Sequence, residues 1–239
     1  MREKDRVMDV TTSQSVNDGA NLGSKRMNKG IHWEWRVFGI LSQEHRSHIE
    51  RMCSTALESS DVTDKYLWST NCKANIKIRR KTLKFKHLLK NTSDGFELWE
   101  EGRHLKYKFP LDRSAIDMLE SDLCVKAPEI FKPGCNNIDD LIDWISLFKP
   151  TIKCIKIKKH RSRCALLFDN VSIQLEIADI LSPIKLTSIA IECNSFEQID
   201  KDRGLYYMRG ARDLLELPDS LRIMGYVQFL DDLVKQGLF

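Results

Sequence analysis

No apolar run in this 239-residue chain approaches the roughly 20 residues that a membrane span requires, so no spanning helix is expected. A Gly-x-x-x-x-Gly-Lys loop and the Rossmann glycine set are both missing, which excludes nucleotide binding of those kinds as far as a motif can. Gly-x-Ser-x-Gly is missing too, and Ser42 reads as a helix cap rather than a nucleophile. The seven cysteines (Cys53, Cys72, Cys124, Cys135, Cys154, Cys164, Cys193) are odd in number and never fall as Cys-x-x-Cys. That spacing argues against a zinc knuckle and a disulfide framework, and reduced thiols in a cytoplasmic protein are expected. Residues 1–30 mix Arg, Lys, Asp, Ser and Asn with no apolar stretch; they read as a disordered tail rather than a secretory signal, ahead of one domain over residues 31–239. Net charge is only +4, too little to demand nucleic acid, yet the basic residues crowd into positions 73–90 and 153–163.

What the chain has in quantity is alternation. His32, Glu34 and Arg36 share one face of a strand opposite Trp33, Trp35 and Val37, the period of two that gives a strand one apolar side. After it, residues 44–57 carry Ile49, Met52, Cys53, Ala56 and Leu57 at helical spacing behind the Ser42 cap. Residues 59–64 read as punctuation. Short strands then follow over 66–69, 74–80 and 83–89, with Asn75, Lys77 and Arg79 on one face of the second and Lys84 and Lys86 on one face of the third. Residues 96–101 and 104–109 read as a hairpin around Gly102, and strands at this spacing predict an antiparallel sheet or barrel. The period changes to helical at Ile116 and again at 138–147, with Pro128, Pro133 and Gly134 between. Strands resume over 152–158, 165–168, 171–177 and 186–193, the first two separated by the polar stretch 160–163. Residues 200–217 and 220–235 read as helices around Pro218, within a C-terminal helical part of about residues 196–239.

Collected, the polar strand faces offer Glu34, Arg36, Lys77, Arg79, Lys84, Lys86, Lys156, Lys158, Glu176 and Glu192. They are either the solvent faces of an ordinary sheet or the inner wall of a barrel of about eight strands, where alternate residues of every strand point to one lumen. The aromatic content of the opposite faces and the supply of amphipathic helices favour the barrel. Basic groups that take phosphate oxygens, beside carboxylates that hold Mg²⁺ or Mn²⁺, suit a polyanion.

Glu34-x-Arg36, Lys77-x-Arg79 followed by Lys84-x-Lys86, Phe96-Glu97-Leu98-Trp99, the basic strand at 156–163, Leu175-Glu176 and Ile191-Glu192 together resemble, in that order, the CYTH or triphosphate tunnel metalloenzyme superfamily. The resemblance runs from about residue 31 to 200. It implies an α+β protein with an eight-stranded antiparallel tunnel, a polar lumen and flanking helices. It also implies a divalent-metal-dependent phosphohydrolase, a triphosphatase, acting on a triphosphate-containing compound or inorganic polyphosphate. Under it, Glu34 and Arg36 are catalytic, and Lys77, Arg79, Lys84, Lys86, Lys156, Lys158 and Arg161 bind phosphate. Glu34, Glu176 and Glu192 hold Mg²⁺ or Mn²⁺. The family opens with Glu-x-Glu-x-Lys where this chain has His32-x-Glu34-x-Arg36, and its late Glu-x-Glu is here Ala190-x-Glu192. A non-catalytic polyanion-binding or scaffold module is therefore the competing reading, and RNA binding through exposed basic strands a third. His160 reads as a polar strand end, and Arg203, Arg209 and Arg212 as one helix face.

Overall fold

A computed structural model describes residues 30–126, 135–148, 151–193 and 201–239, with the side chains of residues 201 and 202 left aside. The expected tail, apart from Gly30, and the breaks at Pro128, Pro133 and Gly134 lie outside the described residues. In chain order the elements are β1 (Ile31–Gly39), α1 (Gln43–Arg51), β2 (Glu58–Ser69), β3 (Asn75–Arg79), β4 (Thr82–Asn91), β5 (Phe96–Glu100) and β6 (Lys106–Lys108). They continue with α2 (Arg113–Leu123), α3 (Ile138–Ser146), β7 (Ile152–Phe168), β8 (Val171–Ser182), β9 (Leu186–Cys193), α4 (Lys201–Leu214), β10 (Arg222–Ile223) and α5 (Tyr226–Lys235).

Eight of these strands close a ring in the order β1-β5-β4-β3-β2-β7-β8-β9, with the β1–β9 ladder from Trp33↔Cys193 to Gly39↔Thr187 sealing it. Every pairing is antiparallel; β6 joins β4 and β10 joins β1 from outside the ring. The α+β class with an eight-stranded antiparallel barrel is thus the fold the sequence implied.

Two apolar layers lie outside the wall. Trp33, Trp35 and Val37 of β1 pack with Leu175, Ile177, Ile189 and Ile191 beneath Ile49 of α1 and Met208, Ala211 and Leu215 of α4. On the other side, Ile76, Ile78, Leu83 and Phe85 are covered by Ile116, Leu119 and Leu123 of α2 and by Leu141, Trp144 and Ile145 of α3. These helices start where side chains can satisfy their free N–H groups: Ser42 Oγ accepts from His45 N, Asp112 from Ala115 N, and Asn137 from Asp139 N and Asp140 N.

A third apolar layer lies inside. The inward row of β1 runs His32, Glu34, Arg36, Phe38, turning from polar to apolar along the barrel axis, and Phe38 meets Tyr66, Trp68, Ile155, Ile157 and Ile180 from the neighbouring walls. Into that end goes α5, whose Tyr226, Phe229, Leu230 and Leu233 are all buried there. Tyr226 stacks on Tyr66 at 5.1 Å and Phe229 on Phe38 at 4.3 Å. The helix stoppers one end of the barrel, and its N-cap Gly225 lies against the Glu97 carboxylate.

The structure departs from the sequence reading in several places, beginning with the helix expected over 44–57, which ends at Arg51. Residues 59–64 are not punctuation but the first half of the 12-residue β2, and 160–163 does not divide the 17-residue β7. Both stretches lack apolar alternation because their outward residues, Ser59, Asp61 and Thr63 facing Ser162, His160 and Lys158, are polar, while Asp64, Arg161 and Arg163 point inward; they pair with each other from Glu58↔Arg163 onward. Residues 96–109 are no hairpin, since β5 lies between β1 and β4 while β6 pairs with β4. Residues 220–235 hold the short β10 before α5. Finally, Cys53 and Cys164 form a disulfide between the end of α1 and β7, against the expectation of reduced thiols throughout. Among the described residues no helix is long and apolar enough to cross a membrane.

Candidate functional site

Alternation brings side chains from most of the wall strands to the unplugged part of the lumen. They line a cavity of about 390 Å³ with His32, Glu34 and Arg36 from β1, Asn75, Lys77 and Arg79 from β3, and Lys84 and Lys86 from β4. Lys159 and Arg163 enter from β7, Gln174 and Glu176 from β8, Glu192 from β9, and Tyr226 from the stopper. Gly30, Ile31, Tyr66, Glu101 and Lys106 complete the lining. Of the residues picked from sequence, Glu34, Arg36, Lys77, Arg79, Lys84, Lys86, Glu176 and Glu192 meet here.

Two do not. Lys156 and Lys158 are exposed on the outer face, Lys156 opposite Lys65. The inner row of β7 is the odd one, Ile155, Ile157, Lys159, Arg161, Arg163, so the two even lysines point away from the cavity. Arg161 lies on the inner row, 3.6 Å from Glu176, and borders a second cavity with Arg79, Arg80, Thr82 and Lys84. That cavity opens where β2 and β3, last paired at Lys65↔Ile78, separate. Sequence reasoning missed Asp64, Lys159, Arg163 and Tyr226. Arg209 and Arg212 bond Asp94 outside the barrel rather than reaching the cavity mouth.

The charges inside are mostly paired. Glu34, Arg36 and Glu176 are no more than 5% exposed. Arg36 donates from Nε to Glu34 Oε1 at 3.0 Å and from Nη1 to Ser188 Oγ at 2.8 Å, and Lys86 Nζ donates to Glu34 Oε2 at 2.7 Å. Arg163 holds Glu176 Oε2 from Nε at 3.0 Å and Nη2 at 2.9 Å. Lys159 donates to the Tyr226 hydroxyl at 2.9 Å, and both its ammonium and the Arg36 guanidinium lie 4.7 Å from the Tyr226 ring centre.

Burial alone would raise the carboxyl of Glu34, but Lys86 and Arg36 outweigh it and hold the group well below the usual range. Glu176 goes the same way, with Lys159, Arg36 and Arg163 overcoming burial. Both are therefore anions at neutral pH. Lys77 is different: burial first, then Arg79 and Lys86, push its ammonium down to about 7. Lys84 is lowered by burial and Arg79. Among the described residues neither Lys77 nor Lys84 forms an ion pair. His32 is lowered by burial and then Lys86, so its ring is neutral; Nδ1 lies 3.3 Å from Gly30 O and Nε2 has no hydrogen-bond partner.

The divalent metal implied by the resemblance does not fit the three carboxylates as they stand. The Arg36 guanidinium is 2.9 Å from Glu34 Oε1, 3.6 Å from Glu176 Oε1 and 3.9 Å from Glu192 Oε1. A metal at their midpoint would meet a permanent positive charge costing roughly 4 kcal/mol per unit charge at 4 Å. Among the described residues no group of three or more His, Cys, Asp or Glu is arranged to hold a metal ion.

No family model matches the chain, and no curated protein matches it. Solved structures similar to it include a conserved hypothetical protein from Pyrococcus furiosus (13% identity, 82% of this chain and 98% of that one, TM-score 0.46). A candidate adenylate cyclase from Bacillus halodurans is 12% identical over 84% of this chain and 98% of its own, with a TM-score of 0.41. A candidate adenylyl cyclase from Hippeastrum, described as having a dominant triphosphatase activity, is 13% identical over 86% and 96%, with a TM-score of 0.45.

Proposed function

We propose that this chain, folded as the tunnel that its resemblance to the CYTH superfamily implies, is a receptor for a triphosphate-containing compound or inorganic polyphosphate. The observation that carries this is the pair of ammonium groups, Lys77 and Lys84, facing the lumen cavity with no carboxylate in ion-pair contact among the described residues. Cations crowded together without partners are unfavourable in an empty cavity and become favourable when an anion enters. Around them the paired cations Arg79, Lys86, Lys159 and Arg163 fix the positive field without being consumed by the ligand. Tripolyphosphate at millimolar concentration is expected to raise the melting temperature, because a ligand that prefers the folded state stabilises it. The rise should shrink in Lys77→Ala and Lys84→Ala. No rise in the wild-type protein removes this reading.

His32 supports a second reading, hydrolysis of the terminal phosphoanhydride. Its Nδ1–H points to the Gly30 carbonyl, which leaves Nε2 as an acceptor without a partner in the cavity wall. That nitrogen would take the proton of a water whose oxygen attacks the terminal phosphorus as the bridging P–O bond breaks, the lysines steadying the leaving oxygen. Phosphate release from tripolyphosphate that is lost in His32→Gln would favour it; no release leaves the receptor alone.

A further inference from the structure

Three carboxylates that face a lumen need counter-charge, and in this protein one side chain touches all three. Glu34 is on β1, Glu176 on β8 and Glu192 on β9, and the Arg36 guanidinium reaches all three. It can do so because of what stands beside it. Ala190 is the β9 partner of both Arg36 and Glu176, and its methyl group leaves the space over that strand for the guanidinium to cross. Ser188, the next inward residue of β9, is buried and accepts from Nη1 at 2.8 Å. The Tyr226 ring closes the side toward the stopper at 4.7 Å. Each of the two most buried carboxylates also has a second cation of its own, Lys86 for Glu34 and Arg163 for Glu176.

We infer that Arg36 is a built-in counter-ion in the place where a divalent cation would otherwise bridge Glu34, Glu176 and Glu192, and that the cavity takes its polyphosphate free of metal. The inference rests on the receptor reading for its ligand but not for its metal half. A guanidinium stays charged at any pH the folded protein meets, whereas an ammonium on a flexible stem can swing aside; the substitution of one for the other is not conservative at a site with several acceptors. Magnesium, which demands near-octahedral oxygen ligands, would have to expel a buried, hydrogen-bonded arginine to reach these carboxylates.

Two measurements test it on the full-length protein. The first uses metal alone: Mn²⁺ titrated into the apoprotein and followed by its paramagnetic resonance signal. The wild type should leave Mn²⁺ free, Arg36→Ala should bind it more tightly by about tenfold or more, and Glu192→Gln added to Arg36→Ala should remove that gain. Arg36→Gln, which keeps the side-chain bulk, repeats the experiment if the alanine variant fails to fold. A wild-type Mn²⁺ site that Glu34→Gln abolishes overturns the inference. The second is calorimetric titration of tripolyphosphate in EDTA and in excess Mg²⁺. Binding in EDTA at least as tight as in Mg²⁺ is expected. Binding only with Mg²⁺ overturns the inference while the receptor reading stands; binding in neither condition removes the receptor reading and, with it, the claim about a metal-free ligand.

Discussion

Arg79 of β3 grips Asp64 of β2 with both arms of its guanidinium, Nε to Oδ1 at 2.6 Å and Nη2 to Oδ2 at 2.5 Å. Asp64 is wholly buried, and it lies one residue past the end of the β2–β3 ladder at Lys65↔Ile78. The pair ties two walls together where backbone bonds no longer do. Removing one member of a buried pair leaves the other uncompensated, at a cost of roughly 3–5 kcal/mol. Asp64→Asn should therefore lower unfolding free energy by about 3 kcal/mol in urea titration, with the denaturant slope unchanged.

Lys77 gives the protein two pH responses of opposite sign. Its folded ammonium is pushed from 10.5 to about 7 by burial and by Arg79 and Lys86. Between those values the unfolded chain binds the proton that the folded chain has lost, so this group makes stability rise with pH across that window. Polyphosphate, which favours the charged amine, should bind more weakly as pH rises above about 7 and should draw in a proton on binding. Lys77→Met should flatten both profiles, read by melting temperature across the pH range and by calorimetry in buffers of different ionisation heat.

The outer lysines supply a control. Lys156 and Lys158 face away from the cavity, so the double variant Lys156→Ala/Lys158→Ala should change tripolyphosphate affinity by less than about twofold at physiological salt, where exposed charges are screened over roughly 8 Å. Lys84→Ala should cost about tenfold or more under the same conditions, the worth of one hydrogen bond to a charged group.

The disulfide predicts a thiol count. With Cys53 bonded to Cys164, five cysteines stay outside any disulfide as thiols: Cys72, Cys124, Cys135, Cys154 and Cys193. Alkylation in denaturant without reductant, read by mass spectrometry, should label those five alone. Prior reduction should open the remaining two. Tying α1 to the middle of β7 across a separation of 111 residues also restricts the unfolded chain, so reduction should lower stability by up to about 4 kcal/mol.

How much of this was legible depended on what each strand faces on its other side. β1 was plain because Trp33, Trp35 and Val37 sit beneath helices while His32, Glu34 and Arg36 do not. The rows Lys77-x-Arg79 and Lys84-x-Lys86 were plain for the same reason, with Ile76, Ile78, Leu83 and Phe85 behind them. β7 misled because its inner face changes character along its length. Ile155 and Ile157 line the stoppered end, and the charged row begins only at Lys159; reading every isoleucine as outward assigned the lumen to the wrong lysines. The clue was the run Lys159, Arg161, Arg163 on one face, with Ser162, Cys164 and Leu166 following one another on the opposite face. Asp64 was hidden in a stretch whose composition is that of a turn, and Tyr226 because nothing in a helix's period says that it enters a barrel. The disulfide was invisible, since two cysteines 111 residues apart meet only once the strand order is known.

The helix lodged in one end of the barrel decides what shapes of ligand can be read. On the receptor reading, a duct closed at its far side by Tyr226, Phe229, Leu230 and Leu233 would take a linear phosphate chain head first and release it by backing out. A ring such as trimetaphosphate presents no leading terminus, and the middle of a long polymer has no passage to the innermost cations. On the receptor reading, the cavity would distinguish the end of a phosphate chain from its middle.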